Sequence, residues 1–129
     1  MINLFSKKQI GDLGELEACK YLKKHGYKIV NCNERQSHKE IDIIATDKNY
    51  IAFVEVKTRS VDNDLYSAYG TPASAVTFNK KSNLIVAARS YLRSNPTDKQ
   101  PRMDVIEVYL KKGTLEVLEI NHFIDAYQA

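Results

Sequence analysis

Two apolar, β-branched segments are the feature that most restricts how this chain can fold. Residues 40–46 (EIDIIAT) and 50–58 (YIAFVEVKT) are rich in isoleucine and valine, and Asp47, Lys48 and Asn49 separate them. Runs of β-branched and aromatic residues bounded by turn residues are typical of strands. The segments therefore predict a β-hairpin with a two-residue turn at Lys48 and Asn49.

Side-chain matching predicts the register of this hairpin, with Asp47 opposite Tyr50. One face is then aliphatic, and its pairs are Ala45–Ala52, Ile43–Val54 and Ile41–Val56. The other face carries the pairs Ile44–Phe53, Asp42–Glu55 and Glu40–Lys57. A slip by one residue would mix the two faces, and strand register normally avoids such mixing.

Asp42 and Glu55 are two carboxylates that face each other in this register. Their β-carbons would lie ~5 Å apart, and two charges at ~5 Å repel by about 3 kcal/mol at an effective dielectric constant of roughly 20. A divalent cation relieves such repulsion, and Mg²⁺ or Mn²⁺ prefers carboxylate oxygens. Because strand side chains alternate, Lys57 shares the face of Glu55. The three side chains therefore predict a metal site with a lysine beside it.

A solvated strand face is the simpler interpretation of these residues. Glutamate two residues before lysine is common in strands, and its spacing from Asp42 also occurs by chance. However, Ile44, Ile51 and Phe53 are expected on the same face. Charged groups among large apolar ones are unfavourable unless they are paired or bind a metal, so this context favours a functional site.

The first 25 residues predict a helix from Ser6 to about His25, ended by Gly26. Lysines occupy one side. The opposite side is small or apolar and carries Gly11, Gly14, Ala18, Tyr21, Leu22 and His25. A glycine within a helix costs about 1 kcal/mol relative to alanine, so two on one side predict a close approach to the sheet.

Glu15 lies on the small side of this helix. It is either a third acidic group at the Asp42–Glu55 site or a lone glutamate at the helix border. Leu13 and Leu16 lie off that side, which leaves open a partner surface such as that of a homodimer.

The rest of the chain predicts a strand over Tyr27–Asn33, a loop over 59–73 and a helix over 74–94. Two strands follow, at Met103–Leu110 and Thr114–Ile120, joined by a tight turn at Lys112-Gly113. Arg102 and Asp104 alternate onto one strand face and are expected to pair. Helices at both ends of the strand group predict an α/β or α+β sandwich, a single domain over residues 1–129 in which one mixed central β-sheet is flanked by α-helices.

Composition restricts function less than the hairpin does. A hydrophobic content of 43% with 27% charged residues argues against disorder. No apolar run approaches the ~20 residues of a membrane span, and the first residues do not form a signal peptide. We therefore expect a cytoplasmic protein with no membrane partner, in which Cys19 and Cys32 are reduced thiols. The net charge of +3 is too small to name a partner.

Asp42, followed by Glu55-Val56-Lys57, resembles the Asp…(Asp/Glu)-x-Lys core of restriction-endonuclease-like nucleases, although Ile41 stands where a proline is expected. More narrowly, the chain resembles the YraN-like family of predicted endonucleases, which is similar to archaeal Holliday-junction resolvases. The resemblance covers almost the whole chain, although Lys39 stands where a glycine is expected. It rests on Gly14-Glu15, Asn33, Arg35, 40–42, 53–59, 69–72, 75–76, Lys80 and 102–105.

The resemblance implies a restriction-endonuclease-like core and a Mg²⁺- or Mn²⁺-dependent endodeoxyribonuclease. Its substrate would be DNA, with branched or structured DNA as one class. Asp42 would be the central metal ligand and Glu55 the second, and Glu15 would complete the acidic set. Lys57 would orient or activate the attacking water, or offset charge on the phosphate.

Nucleic-acid contacts are expected from four further residues, namely Arg35, Arg59, Lys80 and Tyr69. The three basic side chains are candidates for holding phosphates, and the tyrosine is a candidate for stacking on a base. A solvated basic residue and a plain connecting loop are the competing interpretations. The alternative function is a non-catalytic nucleic-acid-binding module that keeps a nuclease scaffold.

Overall fold

A mixed five-stranded sheet with a helix on each face forms the fold of the computed structural model, which describes residues 5–62 and 78–127. Helix α1 (Lys7–Lys24) precedes the sheet, and α2 (Phe78–Ser94) connects β3 to β4. The strands lie in the order β1 (Lys28–Gln36), β2 (Lys39–Thr46), β3 (Tyr50–Val61), β4 (Gln100–Lys111) and β5 (Val117–Tyr127). β3 and β4 are parallel, and the other neighbours are antiparallel. The predicted mixed sheet flanked by helices is confirmed.

Helix α1 begins and ends where the sequence predicts. The Ser6 hydroxyl accepts the backbone N–H of Gln9 at 3.1 Å, and the Gln9 side chain accepts the N–H of Ser6 at 2.8 Å. This capping box satisfies two backbone donors that the first turn leaves without a helical partner. At the other end Gly26 has a φ of 90°, which glycine adopts without strain.

Two apolar clusters on opposite faces of the sheet form the core. One packs Ile43, Ala45, Ala52 and Val54 against Ala18 and Leu22 of α1. The other packs Ile44, Ile51 and Phe53 against Leu84, Ala87, Ala88 and Tyr91 of α2. The spacing of three and four residues between these positions of α2 places them on one side of the helix.

The hairpin register is confirmed from Thr46–Ile51 to Ile43–Val54. The Asp47 carboxylate accepts the N–H groups of Asn49 at 2.9 Å and Tyr50 at 2.7 Å, which closes the turn. The prediction for Ile41 is wrong, because its side chain packs with the α2 cluster and not with the aliphatic face of Ile43. The alternation of β2 therefore breaks at Asp42.

Two further expectations are corrected. Leu13 packs against the α1 cluster, so it is not part of a free surface, whereas Leu16 is 51% exposed. The turn between β4 and β5 is longer than Lys112-Gly113, because the Lys111 N–H donates to the Glu116 carbonyl across four residues. No helix within the described residues is both long and apolar enough to cross a membrane.

Candidate active site

The candidate site lies where β2 and β3 stop pairing. The ladder between them ends at Ile43 and Val54, and Asp42 Oδ2 then accepts the backbone N–H of Val56 at 2.8 Å. A side chain thus satisfies a donor that a neighbouring strand would otherwise satisfy. β3 itself stays paired with β4 as far as Val61, so it holds its position while β2 leaves it.

Asp42, Glu55 and Lys57 come together at this separation. Lys57 Nζ lies 3.6 Å from Glu55 Oε1, with only 15% and 18% of the two side chains exposed. Burial, and then the negative charge of Glu55, raise the pKa of Asp42 to about 7, against the opposing hydrogen bond from Val56. Asp42 and Glu55 line the same cleft, and the charge of Glu55 makes ionisation of Asp42 less favourable.

Glu15 is connected to the site through Asn33 and Glu40. The carboxylates of Glu15, Glu40, Asp42 and Glu55 are called the acidic cluster from here on. With its amide nitrogen facing them, Asn33 donates to Glu15 Oε1 at 2.9 Å and to Glu40 Oε1 at 2.8 Å. Burial and the charge of Glu40 raise the pKa of Glu15, and the hydrogen bond from Asn33 opposes that rise. Glu15 is thus linked first to Glu40, and the Asp42–Glu55 pair is its more distant neighbour.

A close contact between α1 and β3 places Glu15 at the sheet. A β-carbon added to Gly14 would lie 1.7 Å from Thr58 Oγ1, so only glycine fits at this crossing. Gly11 has nothing within 4 Å of that position. The predicted close approach is therefore right at Gly14 and wrong at Gly11.

Clefts open on both sides of the strand separation. A cleft of about 440 Å³ on the α2 side is lined by Glu40, Asp42, Glu55 and Asn83, among others. Another of about 500 Å³ on the α1 side is lined by Glu15, Lys57 and neighbouring residues. Asp42 and Glu55 therefore line the cleft on the α2 side, whereas Glu15 and Lys57 line the cleft on the α1 side.

The chemistry of the donors fits a hard divalent cation. Asp42 keeps one oxygen besides the one that accepts from Val56, and Glu55 supplies a second carboxylate beside it. As the side chains stand, no group of three or more His, Cys, Asp or Glu residues in the described ranges is arranged to hold a metal ion. Mg²⁺ commonly binds proteins through one or two carboxylates and keeps several waters, so the Asp42–Glu55 pair is an adequate donor set.

The structure describes the side chains of two of the four residues that are predicted to contact nucleic acid. Arg35 is exposed and lies 3.9 Å from Glu40 Oε2. Arg59 Nε lies 3.8 Å from Oε2 of Glu107, a residue only 1% exposed. Lys80 belongs to α2, but its side chain is outside the described part, and Tyr69 lies wholly outside the described residues.

Arg102 and Asp104 form the predicted pair on β4. The guanidinium donates to both carboxylate oxygens, at 2.9 and 2.8 Å, and also to the Tyr27 hydroxyl at 2.6 Å. Asp104 further contacts His122 Nε2 at 2.7 Å and accepts the N–H of Asp125 at 2.9 Å. This buried network joins β4, β5 and Tyr27, which immediately precedes β1.

Asn33 and Glu40 are the site residues whose roles the sequence did not reveal. Asn33 lies between the pairs Cys32–Ile43 and Glu34–Ile41, which places it beside Asp42 on the neighbouring strand. A register shift between Ile29 and Asn31 precedes it, so its partner could not be derived from alternation. Its φ of 54° is one that asparagine tolerates better than most residues.

The fold and the site together define a mixed α/β protein with an acidic cluster and a lysine at a strand separation. The chain belongs to the uncharacterised protein family UPF0102, whose model matches residues 14–108. This membership confirms the YraN-like resemblance at the level of the family.

Relatives of similar length support the same membership. A UPF0102 protein of Caldanaerobacter subterraneus is 43% identical over 123 residues, covering 95% of this chain and 97% of its own. One from Chlorobium phaeobacteroides is 41% identical over 124 residues, covering 93% and 94%. The crystal structure of an XisH family protein from Nostoc punctiforme is a remote likeness, with a TM-score of 0.43 and 13% identity over 84% of this chain and 98% of that one.

Proposed function

We propose that this protein is a Mg²⁺- or Mn²⁺-dependent nuclease that hydrolyses DNA phosphodiester bonds on a restriction-endonuclease-like core. The observation that carries the proposal is the Asp42–Glu55–Lys57 cluster at the end of the β2–β3 ladder. Two adjacent carboxylates in a partly buried site are unfavourable without a compensating charge. A divalent cation supplies that charge with the oxygen ligands it prefers.

The proposal assigns a role to each of these residues. Asp42 and Glu55 would hold the cation, which when bound polarises the phosphate and lowers the pKa of a water. Lys57 would place its ammonium next to the scissile phosphate and offset the charge that develops there. Glu15 would act indirectly: Asn33 donates hydrogen bonds to both Glu15 and Glu40, and this connection would hold the acidic cluster in place.

Clefts on the α1 and α2 sides of the strand separation are the places where a DNA strand would lie. We take branched or structured DNA as the substrate class to test first. Exposed Arg35, which lies beside Glu40, would hold a backbone phosphate.

A cleavage assay with matched variants tests the proposal. The full chain is incubated with linear, nicked, flapped and four-way DNA in Mg²⁺, Mn²⁺ or EDTA. We expect metal-dependent cleavage that falls at least about 100-fold in Asp42→Asn and Lys57→Ala. Asp98→Asn and Lys112→Ala change exposed residues away from the site and are expected to cleave like the wild type.

Two outcomes would contradict the proposed nuclease activity. Equal cleavage by Asp42→Asn, Lys57→Ala and the wild type would identify a contaminating activity. Salt-dependent DNA binding without cleavage in any metal would favour the non-catalytic binding module.

A further inference from the structure

The two cysteines, which are distant in sequence, meet in the fold. Cys19 Sγ on α1 lies 3.6 Å from Cys32 Sγ on β1. Both are free thiols, with Cys32 exposed and Cys19 partly buried. A disulfide has an S–S length of about 2.05 Å, so small rotations of the two side chains would bring the sulfurs to bonding distance.

Regular structure on both sides fixes this proximity. Cys19 follows Ala18, which is fully buried against the sheet, and Cys32 is paired with Ile43 of β2. Neither thiol lies on a loop. The contact therefore depends on how α1 packs on β1.

We propose that Cys19 and Cys32 are an oxidation site that forms an intramolecular disulfide when the protein meets a low-molecular-weight disulfide. The Cys32 thiolate attacks one sulfur of the reagent, forming a mixed disulfide and expelling one reagent thiolate. The Cys19 thiolate then attacks Cys32 Sγ and expels the second. Two protein thiols lose two electrons and two protons, and one reagent disulfide becomes two thiols.

Exposure sets the order of these two steps. Cys32 is the accessible thiol and reacts first with the reagent. Burial, together with the hydrogen bond to Cys32, raises the pKa of Cys19 to about 12, so its thiolate is scarce at neutral pH. Closure of the bond therefore becomes faster as pH rises.

The product would connect α1 to β1 next to the acidic cluster. Cys32 immediately precedes Asn33, and Cys19 lies one helical turn after Glu15. The bond would close a short loop of sequence, which stabilises a fold that accommodates it. This inference does not depend on the proposed nuclease activity.

Glutathione equilibria measured on the full chain test the proposal. Mixtures of reduced and oxidised glutathione are equilibrated with the protein in buffer and in concentrated urea, and intact mass is read after acid quench. A fold that accommodates the disulfide favours its formation, and the disulfide stabilises that fold in return. The equilibrium constant for disulfide formation should therefore be at least about tenfold larger in buffer than in urea. The oxidised protein should melt at least about 5 °C higher than the reduced one.

Single variants locate the reaction. Cys19→Ser should retain one glutathione on Cys32, because no second thiol displaces it, whereas Cys32→Ser should react more slowly than Cys19→Ser. An equilibrium constant for disulfide formation that is equal or smaller in buffer than in urea would overturn the proposal. A wild type that keeps glutathione adducts or forms only cross-links between chains would also overturn it.

Discussion

Asp42 is the residue whose environment most clearly departs from that of a surface carboxylate. Its side chain accepts the Val56 N–H, yet burial and Glu55 still raise its pKa to about 7. An ordinary aspartate has a pKa of about 3.9. Between these values the folded chain binds a proton that the unfolded chain does not, so the free energy of unfolding falls as pH rises through this window.

Asp42→Asn should therefore stabilise the metal-free protein at neutral and higher pH. Asparagine keeps an acceptor for Val56 and removes the repulsion, so we expect a gain of about 2–3 kcal/mol near pH 8 that vanishes near pH 4. Urea unfolding in EDTA across this range measures it, with Asp98→Asn as the exposed control. A stability difference that does not depend on pH would show that Asp42 is ionised in the fold without penalty.

Asn33 combines an unusual backbone with a bridging amide, and two variants separate these properties. Asn33→Gly keeps the positive φ, and Asn33→Ala makes that φ unfavourable by about 1 kcal/mol; both remove the hydrogen bonds to Glu15 and Glu40. The hydrogen bond from Asn33 opposes the rise in the pKa of Glu15. Both variants should therefore raise the pKa of Glu15 further. Carboxyl ¹³C NMR titration of Glu15 measures the change, and an unchanged curve in Asn33→Gly would refute the bridge.

At the scale of elements, the crossing of α1 over β3 decides where the acidic cluster forms. Gly14 lets the helix backbone approach Thr58, and the next residue is Glu15. Local signals found the two elements: Ser6 marked the start of α1, and turn residues marked the hairpin. The break in β2 alternation at Asp42 could not be predicted, because it depends on Ile41 packing against α2.

The two helix glycines provide a matched pair of substitutions. Gly14→Ala places a methyl group into Thr58 and should lower the free energy of unfolding by about 2–3 kcal/mol. Gly11→Ala enters open space and should raise it by up to about 1 kcal/mol, because alanine is the better helix former. Thermal and urea unfolding measure both, and equal effects would contradict the crossing.

At the scale of the whole molecule, the Arg102–Asp104 network connects segments far apart in the chain. Alternation along β4 was enough to predict the pair itself. Its partners Tyr27, His122 and Asp125 come from other segments, and only the tertiary arrangement reveals them. The same holds for Asn33 and for the two cysteines, whose neighbours depend on a register shift and on helix packing.

Asp104→Asn should be strongly destabilising, by about 3–5 kcal/mol, because it leaves buried Arg102 without its counter-charge. Hydrogen bonds from His122 and Arg102 lower the pKa of Asp104 although burial alone would raise it. Its contribution to stability is therefore present above about pH 4 and is lost as pH falls below that value. Urea unfolding at neutral and acid pH measures both effects, and a loss under about 1 kcal/mol would contradict them.

Cation binding is the most direct test of the central claim that Asp42 and Glu55 together hold a divalent cation. Isothermal titration of Mn²⁺ into the full chain should show binding in the wild type and in Asp98→Asn, and at least about a tenfold loss of affinity in Asp42→Asn and Glu55→Gln. Equal Mn²⁺ affinity in all four proteins, or no binding in the wild type, would contradict the claim.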